Sequence, residues 1–570
     1  MRLRVGRSGN RVLVQPKGDA PWWDSAIVYC LDVETFDDSD GDGVGDLAGL
    51  RRRLDYLGGL GVTCLWLLPL YETPNRDDGY DVTDHCAIDP RLGTLEDFDG
   101  LVRDCDERGI RLVLDLVVNH TSDEHPWFVE ARSAPDSEKG AFYVWSDVPL
   151  REPEGVVFPD EVDSNWSFDE VAGRYYLHRY YPFQPELDHG NPALSEEIER
   201  IVGFWLDRGV SGFRVDSAPF VIEQVGWRHP MRDPHDLFRR WRRAATERTP
   251  DVLFVGEAYF APPEQMPFFG KGDEFHALFH FHLNNLLWLA LARGSAEPLR
   301  RALEEVPRPP TGCGWFTFLR SHDELTVEKL EEDERADILR ELAPGPEMQI
   351  YGRGTRLRIA SMLGHDERRV RLALSLLLSL PGAPVLLYGD EIGIDEDLTL
   401  PGRSSVRVPM RWSSGWNAGF SSAPRDRVVR AVREPTRPRT NVWDQERDPG
   451  SLLHWMRAAI SARRATGLAG GEAVPLDVGD DAVFAHRWST DGGALVALHN
   501  LVEGARTVRL VLPDGAAPGE LFSDRRYESE AGPELAFAIG PYGFRWFMLE
   551  QSRVAGAERG SPRRRARASR

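Results

Sequence analysis

Residues 111–120 read RLVLDLVVNH and residues 212–216 read GFRVD, two short runs of aliphatic and β-branched residues that each end in charge. Their apolar residues are nearly continuous rather than strictly alternating, as in strands buried on both faces. Similar runs occur at Ala26–Leu31, Val62–Pro69, Val252–Ala258, Phe316–Arg320 and Val385–Gly389. Between them lie helix-like patterns at Leu50–Leu60, Leu95–Arg108, Ser195–Asp207, His235–Glu247 and Arg368–Leu380. Strand alternating with helix means a parallel sheet. Seven or eight such units over about 400 residues predict an α/β fold of the (β/α)8 TIM-barrel type rather than a doubly wound sheet.

The rhythm assigns residues 1–120 and 192–451 to the barrel. Residues 121–191 break it: this stretch, placed after the third strand, is rich in Trp, Tyr, Pro and Asp and has no clean helical pattern. It reads as an inserted subdomain able to cover the barrel mouth. Over residues 452–552 the pattern turns to short strands with Gly, Asp and Pro turns, at Ala482–Trp488, Ala494–Asn500, Arg506–Leu512 and Gly543–Leu549. That predicts a C-terminal antiparallel β-sandwich. Residues 553–570, with Arg563-Arg-Arg-Ala-Arg among Gly and Ser, read as a disordered tail.

The 570 residues carry 69 Lys+Arg against 91 Asp+Glu, a formal net charge of −22. Such a surface repels phosphate backbones and anionic lipid, which excludes nucleic acid and membrane as expected partners and leaves neutral, cationic or sugar-like ligands. The longest apolar run, Leu372–Leu380, is broken by Ser375 and Ser379 and closed by Pro381, too short and interrupted to span a bilayer. The opening Met1-Arg-Leu-Arg-Val lacks the apolar core of a secretory signal, so a cytoplasmic enzyme is expected. The 5 cysteines (Cys30, Cys64, Cys86, Cys105, Cys313) show no CxxC or metal-like spacing and read as reduced thiols. Homo-oligomerisation is left open.

In a (β/α)8 barrel the polar residues at strand C-terminal ends face the catalytic mouth. Here those ends carry Asp115 with Asn119-His120, Arg214-Val-Asp216, Gly256-Glu257-Ala258 and His322-Asp323-Glu324. One such residue could merely cap the next helix. Four in order along one barrel point to a site. Three carboxylates without a Cys or Ser nucleophile elbow suit glycosidic chemistry, in which one carboxylate attacks the anomeric carbon and another, of raised pKa, protonates the leaving oxygen.

These segments resemble the four signature regions of the α-amylase superfamily, glycoside hydrolase family 13. The likeness runs from about Trp22 to Phe420 and includes PNRDDGYD (74–81), HTSDEHPWF (120–128), FYVWSD (142–147), Phe269–Phe281, LRSHDEL (319–325) and YGDEIG (388–393). Within the superfamily the sequence is most similar to the trehalose synthase subgroup, the maltose α-glucosyltransferases. The resemblance implies Asp216 as nucleophile, Glu257 as general acid/base and Asp323 as transition-state stabiliser. It also implies sugar contacts from Asp77, Tyr80, His120, Gln184 and His322. Arg214 would hold the nucleophile ionised, and Arg407 would lie near the third carboxylate.

Asp38-Ser-Asp-Gly-Asp-Gly-Val-Gly-Asp46 places four carboxylates in nine residues, which repel without a cation. An EF-hand fails because Gly49 stands where that loop needs a bidentate Glu. The resemblance implies Ca²⁺, with Mg²⁺ as the alternative, held by Asp38, Asp40, Asp42, the Val44 carbonyl and Asp46. It implies a second structural ion among Asn119, Glu186, Glu223 and the carbonyls of Phe220 and Val221, with Glu186 where relatives carry Asp. No organic cofactor is implied.

Three positions depart from the subgroup. Glu161 stands where a stacking Phe is expected, Phe183 replaces a His, and Ala258-Tyr-Phe-Ala-Pro replaces Asn-Gln-Trp-Pro. They border the acceptor side or the glucose pocket. The resemblance implies maltose–trehalose interconversion on a small disaccharide, and these departures, which weigh against it, keep α-glucoside hydrolysis or transfer to another acceptor as the alternatives.

Overall fold

The computed structural model describes residues 20–150, 155–159, 161–490, 493–510, 518–527 and 535–549. The expected Arg-rich tail lies outside the described residues. Eight apolar strands, most of them fully buried, close in chain order into a parallel barrel: β1 (Val28–Leu31), β2 (Cys64–Leu67), β3 (Arg111–Leu116), β4 (Gly212–Val215), β5 (Leu253–Gly256), β6 (Ala277–Phe279), β7 (Gly314–Phe318) and β8 (Ala383–Leu387). Closure is made at β1, where Val28 pairs with Val385 of β8 and Cys64 of β2. Seven of these strands were legible as apolar runs. β6 was not, because three residues are too few to show a pattern.

The helices return the chain outside the barrel. Helix 95–108 starts at a Thr94–Asp97 capping box and stops at Gly109, whose φ of 66° favours glycine. Helices Phe281–Arg293 and Glu297–Glu305, which the sequence reading passed over, fill the interval after β6.

The insertion differs from its expectation in one respect. It contains a helix, Pro126–Ser133, entered through His125, whose Nδ1 accepts the Trp127 N–H at 3.0 Å. A small antiparallel sheet (145–146, 166–169, 174–177) completes it.

The C-terminal region is corrected too. Residue 452 opens not a strand but a helix, Leu452–Thr466, capped by Ser451 and ended by Gly467. We call Glu367–Ser379 α1 and this helix α2. After it, β9 (Glu472–Leu476), β10 (Val483–Thr490), β11 (Gly493–Asn500), β12 (Arg506–Leu510), β13 (Pro518–Ser523), β14 (Leu535–Ile539) and β15 (Phe544–Leu549) form two antiparallel sheets. One has the order β9-β10-β11-β15-β13 and the other pairs β12 with β14. A small core of Val496, Leu498, Val508, Phe537 and Phe547 lies between them.

The larger sheet meets α1 through buried polar contacts. Trp546 Nε1 donates to Ser375 Oγ (2.9 Å), His499 Nε2 is hydrogen-bonded to the same oxygen (3.0 Å), and His486 Nε2 donates to the Ser379 carbonyl (3.0 Å). All 5 cysteines are free thiols. Among the described residues no helix is long and apolar enough to cross a membrane.

Candidate active site

One guanidinium organises the barrel mouth. Arg214 projects from β4, whose register sets it beside Asp115 on β3 and Val255 on β5. Its Nη1 lies 2.5 Å from Asp115 and 2.7 Å from Asp216, and its Nη2 lies 2.6 Å from Glu257. Three neighbouring strand ends thus bring three carboxylates onto one cation. Buried negative charge in excess of positive must be relieved by proton uptake. Burial, reinforced by Asp216 and Asp323 and opposed by Arg214, pushes Glu257 up to about 7. Burial also raises Asp115 to about 6, against the pull of Arg214. Ser217 fixes the pair: its N–H donates to Glu257 (3.0 Å) and its hydroxyl to Asp216 (2.9 Å).

Asp323 faces them from the segment after β7. Arg407 Nη2 (2.7 Å), Arg403 Nη1 (3.1 Å) and His322 Nε2 (3.1 Å) surround it. Burial opposes its ionisation, but the hydrogen bond from His322 and the charges of the two arginines outweigh that and hold its carboxyl well below the usual carboxylate range. Burial lowers His322 to about 4, so the imidazole is neutral near pH 7.

Tyr80 lies parallel to the His322 ring at 5.7 Å, and its hydroxyl meets His322 Nε2 (2.7 Å) and Asp115 (3.1 Å). His120 Nε2 is bound to the Tyr80 carbonyl at 3.0 Å. Asp77 accepts from Gln184 Nε2 (2.9 Å) and, with both oxygens, from Arg403 (2.6 and 2.8 Å). The structure therefore brings Asp77, Tyr80, His120, Arg214, Asp216, Glu257, His322 and Asp323 to one cavity of about 630 Å³. Gln184 stands behind Asp77. Arg407 stands behind the wall, holding Asp78 (2.5 Å) as well as Asp323.

Two residues escaped the sequence reading. Arg403 bridges Asp77 and Asp323, yet its only sequence signal is its place one turn before Arg407 in PGRSSVR. Phe158 is the second, and it corrects an expectation. Phe158, three residues before Glu161, lines the cavity together with Tyr180 of the same subdomain, whereas Glu161 sits at the exposed rim. Phe183 lies off the cavity, stacked on Tyr181 at 5.1 Å under Arg76. Tyr259 and Phe260, from the third departure, do line it.

At the acidic loop, carboxylate oxygens of Asp38, Asp40 and Asp42 lie within 4.8 Å of one another. Asp40 and Asp42 each spend one oxygen on a backbone N–H, of Asp42 (3.0 Å) and Val44 (2.8 Å), and keep the other. That hard oxygen set fits a divalent ion. Asp46 stands outside the cluster of three and caps helix 47–52, accepting from Gly49 (2.6 Å) and Ser39 (2.8 Å). At the other expected site, the Asn119 amide is fully buried with no hydrogen-bond partner. The Asn119 backbone carbonyl accepts the Leu187 N–H at 2.9 Å, which places the residue next to Glu186. Arg179 joins Glu186 (3.3 Å) and Glu223 (2.8 Å) close to that amide.

Fold and mouth together define a (β/α)8-barrel enzyme of glycosidic chemistry, with an ionised carboxylate facing a protonatable one. The family model described as alpha amylase, catalytic domain, matches residues 32–341 and 353–470. The chain belongs to the alpha-amylase family. It is 38% identical over 554 residues to the trehalose synthase/amylase of Mycolicibacterium smegmatis, covering 94% of this chain and 93% of that one. It is 37% identical to the trehalose synthase of Pimelobacter, over 95% and 98% of the two chains. The probable alpha-glucosidase of Rhizobium meliloti is 33% identical over 81% of this chain and 85% of its own. Among solved structures, a trehalulose synthase mutant in complex with Tris superposes with a TM-score of 0.75 at 25% identity, over 93% of this chain and 100% of that one.

Proposed function

We propose that the protein interconverts maltose and trehalose by retaining α-glucosyl transfer, and the observation that carries this is Glu257. Its carboxyl is poised near 7 while Arg214 holds Asp216 beside it as an ion pair. Near-full-length likeness to trehalose synthases supports the choice of substrates.

In this reading Asp216 attacks the anomeric carbon of the non-reducing glucose while Glu257 protonates the departing oxygen, giving a glucosyl-enzyme and free glucose. That glucose turns in the cavity, Glu257 removes the proton of its anomeric hydroxyl, and the bond re-forms as trehalose. Asp323, ionised between two arginines, stabilises the oxocarbenium-like transition state. Asp77, Tyr80, His120 and His322 grip the transferred ring, with Gln184 and Arg407 fixing Asp77 and Asp323 in place. No organic cofactor takes part.

A Ca²⁺ or Mg²⁺ ion held by Asp38, Asp40, Asp42, the Val44 carbonyl and Asp46 would brace the loop after β1. A second, among Asn119, Glu186, Glu223 and the carbonyls of Phe220 and Val221, would tie the inserted subdomain to the barrel. Both would supply structure rather than chemistry. The free thiols suit a reducing cytoplasm.

The competing reading is α-glucoside hydrolysis, favoured by the glucosidase relative. Both readings share the covalent step, which trapping tests: Glu257→Gln given an aryl α-glucoside with a good leaving group should accumulate a glucosyl adduct. Peptide mass mapping should find it on Asp216. An adduct elsewhere, or inversion of the product anomer, would overturn the assignment.

A further inference from the structure

Away from the barrel mouth, a second cavity of about 990 Å³ opens between helix Pro192–Leu206 and helix Asp236–Arg248. It is large enough for a small ligand and shares no lining residue with the catalytic cavity.

Two of its lining side chains are buried polar groups with nothing to bind. Ser195, 3% exposed, stands in the first turn of the helix that begins at Pro192, and its hydroxyl has no hydrogen-bond partner among the described residues. His189, 2% exposed, donates from Nε2 to the Val118 carbonyl at 2.7 Å. Its Nδ1, also without a partner, is therefore a bare acceptor. Burial, opposed by the Val118 hydrogen bond, lowers this imidazole to about 4 and keeps it neutral. Such atoms are costly to bury unless something outside the chain meets them.

The facing helix lines the cavity with Arg239, Arg240, Arg242 and Arg243. Two of these cations are already spent, Arg239 on Glu274 at 2.7 Å and Arg240 on Glu199 of the opposite helix. Arg242 and Arg243 form no ion pair among the described residues. Arg242 donates only to carbonyl and thiol groups, the Glu274 carbonyl at 2.9 Å among them, so its half-buried charge lacks a carboxylate. Asp236, Glu247 and Asp273 complete the wall as acceptors.

A ligand that satisfies this wall carries both an anion and hydroxyl protons. The two free guanidinium groups and the positive end of a 15-residue helix favour a phosphate. The His189 nitrogen and the carboxylates repel a bare anion but accept from hydroxyl groups. We propose that this cavity binds a phosphorylated hexose, with the phosphate on Arg242 and Arg243 and the sugar hydroxyls on Ser195 and His189. The site lies outside the reacting centre and takes no part in the bond exchange there.

The test is calorimetric titration of the full chain with glucose 6-phosphate, which has no glycosidic bond to exchange. One site is expected, with inorganic phosphate bound about tenfold more weakly or worse. Arg242→Gln with Arg243→Gln should weaken glucose 6-phosphate binding about tenfold or more, and Ser195→Ala about threefold, with maltose turnover within about twofold of wild type. If the double variant does not fold, Arg243→Gln alone, at an exposed side chain, should lose about threefold. No binding of glucose 6-phosphate, inorganic phosphate bound as tightly, or an affinity unmoved by the arginine or serine changes overturns the site.

Discussion

Arg214 shows how a single residue sets the chemistry of a strand-end site. Its two nitrogens hold Asp115, Asp216 and Glu257 in one cluster, where burial, reinforced by the charges of Asp216 and Asp323 and opposed by Arg214, gives Glu257 a raised proton affinity. As general acid, Glu257 must carry its proton when substrate arrives. kcat/KM should therefore fall as pH rises through about 7, and Glu257→Gln should lose that alkaline limb along with most of its activity. A pH profile flat from 6 to about 9 in the wild type would contradict the assignment. Asp216→Asn should lower turnover by about a thousandfold or more, with an unchanged melting curve, since an amide cannot form the covalent intermediate.

The site carboxylates were legible because each ends an apolar run, a local pattern that a sequence displays. Arg403 and Phe158 were not. Each earns its place only by contact with residues tens to hundreds of positions away: Arg403 with Asp77, and Phe158 with Tyr351. Sequence position alone points to Glu161 as the stacking position, whereas the chain approaches the cavity three residues earlier, at Phe158.

At the scale of elements, α1 and the sheet it carries illustrate what the pattern hid. Ser375 and Ser379 were visible as interruptions in an apolar run, and the structure gives them a purpose as polar seats for Trp546, His499 and His486. Ser375→Ala would leave the Trp546 N–H and the His499 ring without their buried partner. A loss of about 1–3 kcal/mol is expected, read from urea denaturation. No measurable change would show that this docking contact is dispensable. The helix at 452–466 was missed because the strand signals downstream were extended back over it, although Ser451 and Gly467 mark its two ends as cap residues do.

The acidic loop makes a prediction on the same scale. Three carboxylates within 4.8 Å repel one another unless a cation joins them. A chelator should lower Tm by a few degrees, since an ion at a hundred times its Kd contributes about 2.7 kcal/mol. Asp40→Asn with Asp42→Asn should diminish the chelator's effect, leaving only what the second ion contributes. A wild-type melting curve indifferent to both chelator and added Ca²⁺ would remove the ion from this loop.

Over the whole molecule, a closed barrel supplies the three carboxylates and the insertion supplies Gln184 and Phe158. The alternation of strand and helix was enough to infer the barrel, because burial on both faces of a parallel sheet leaves a strong local signature. Product choice is different: it depends on how tightly the assembled walls retain a free glucose, a property of the tertiary structure. The most direct test of the central claim is to incubate the purified protein with maltose in excess isotopically labelled glucose and resolve the products. The account predicts trehalose as the main product, with little label in it, because the glucose that re-attacks never leaves the cavity. Unlabelled glucose as the sole product, with no trehalose, would contradict it.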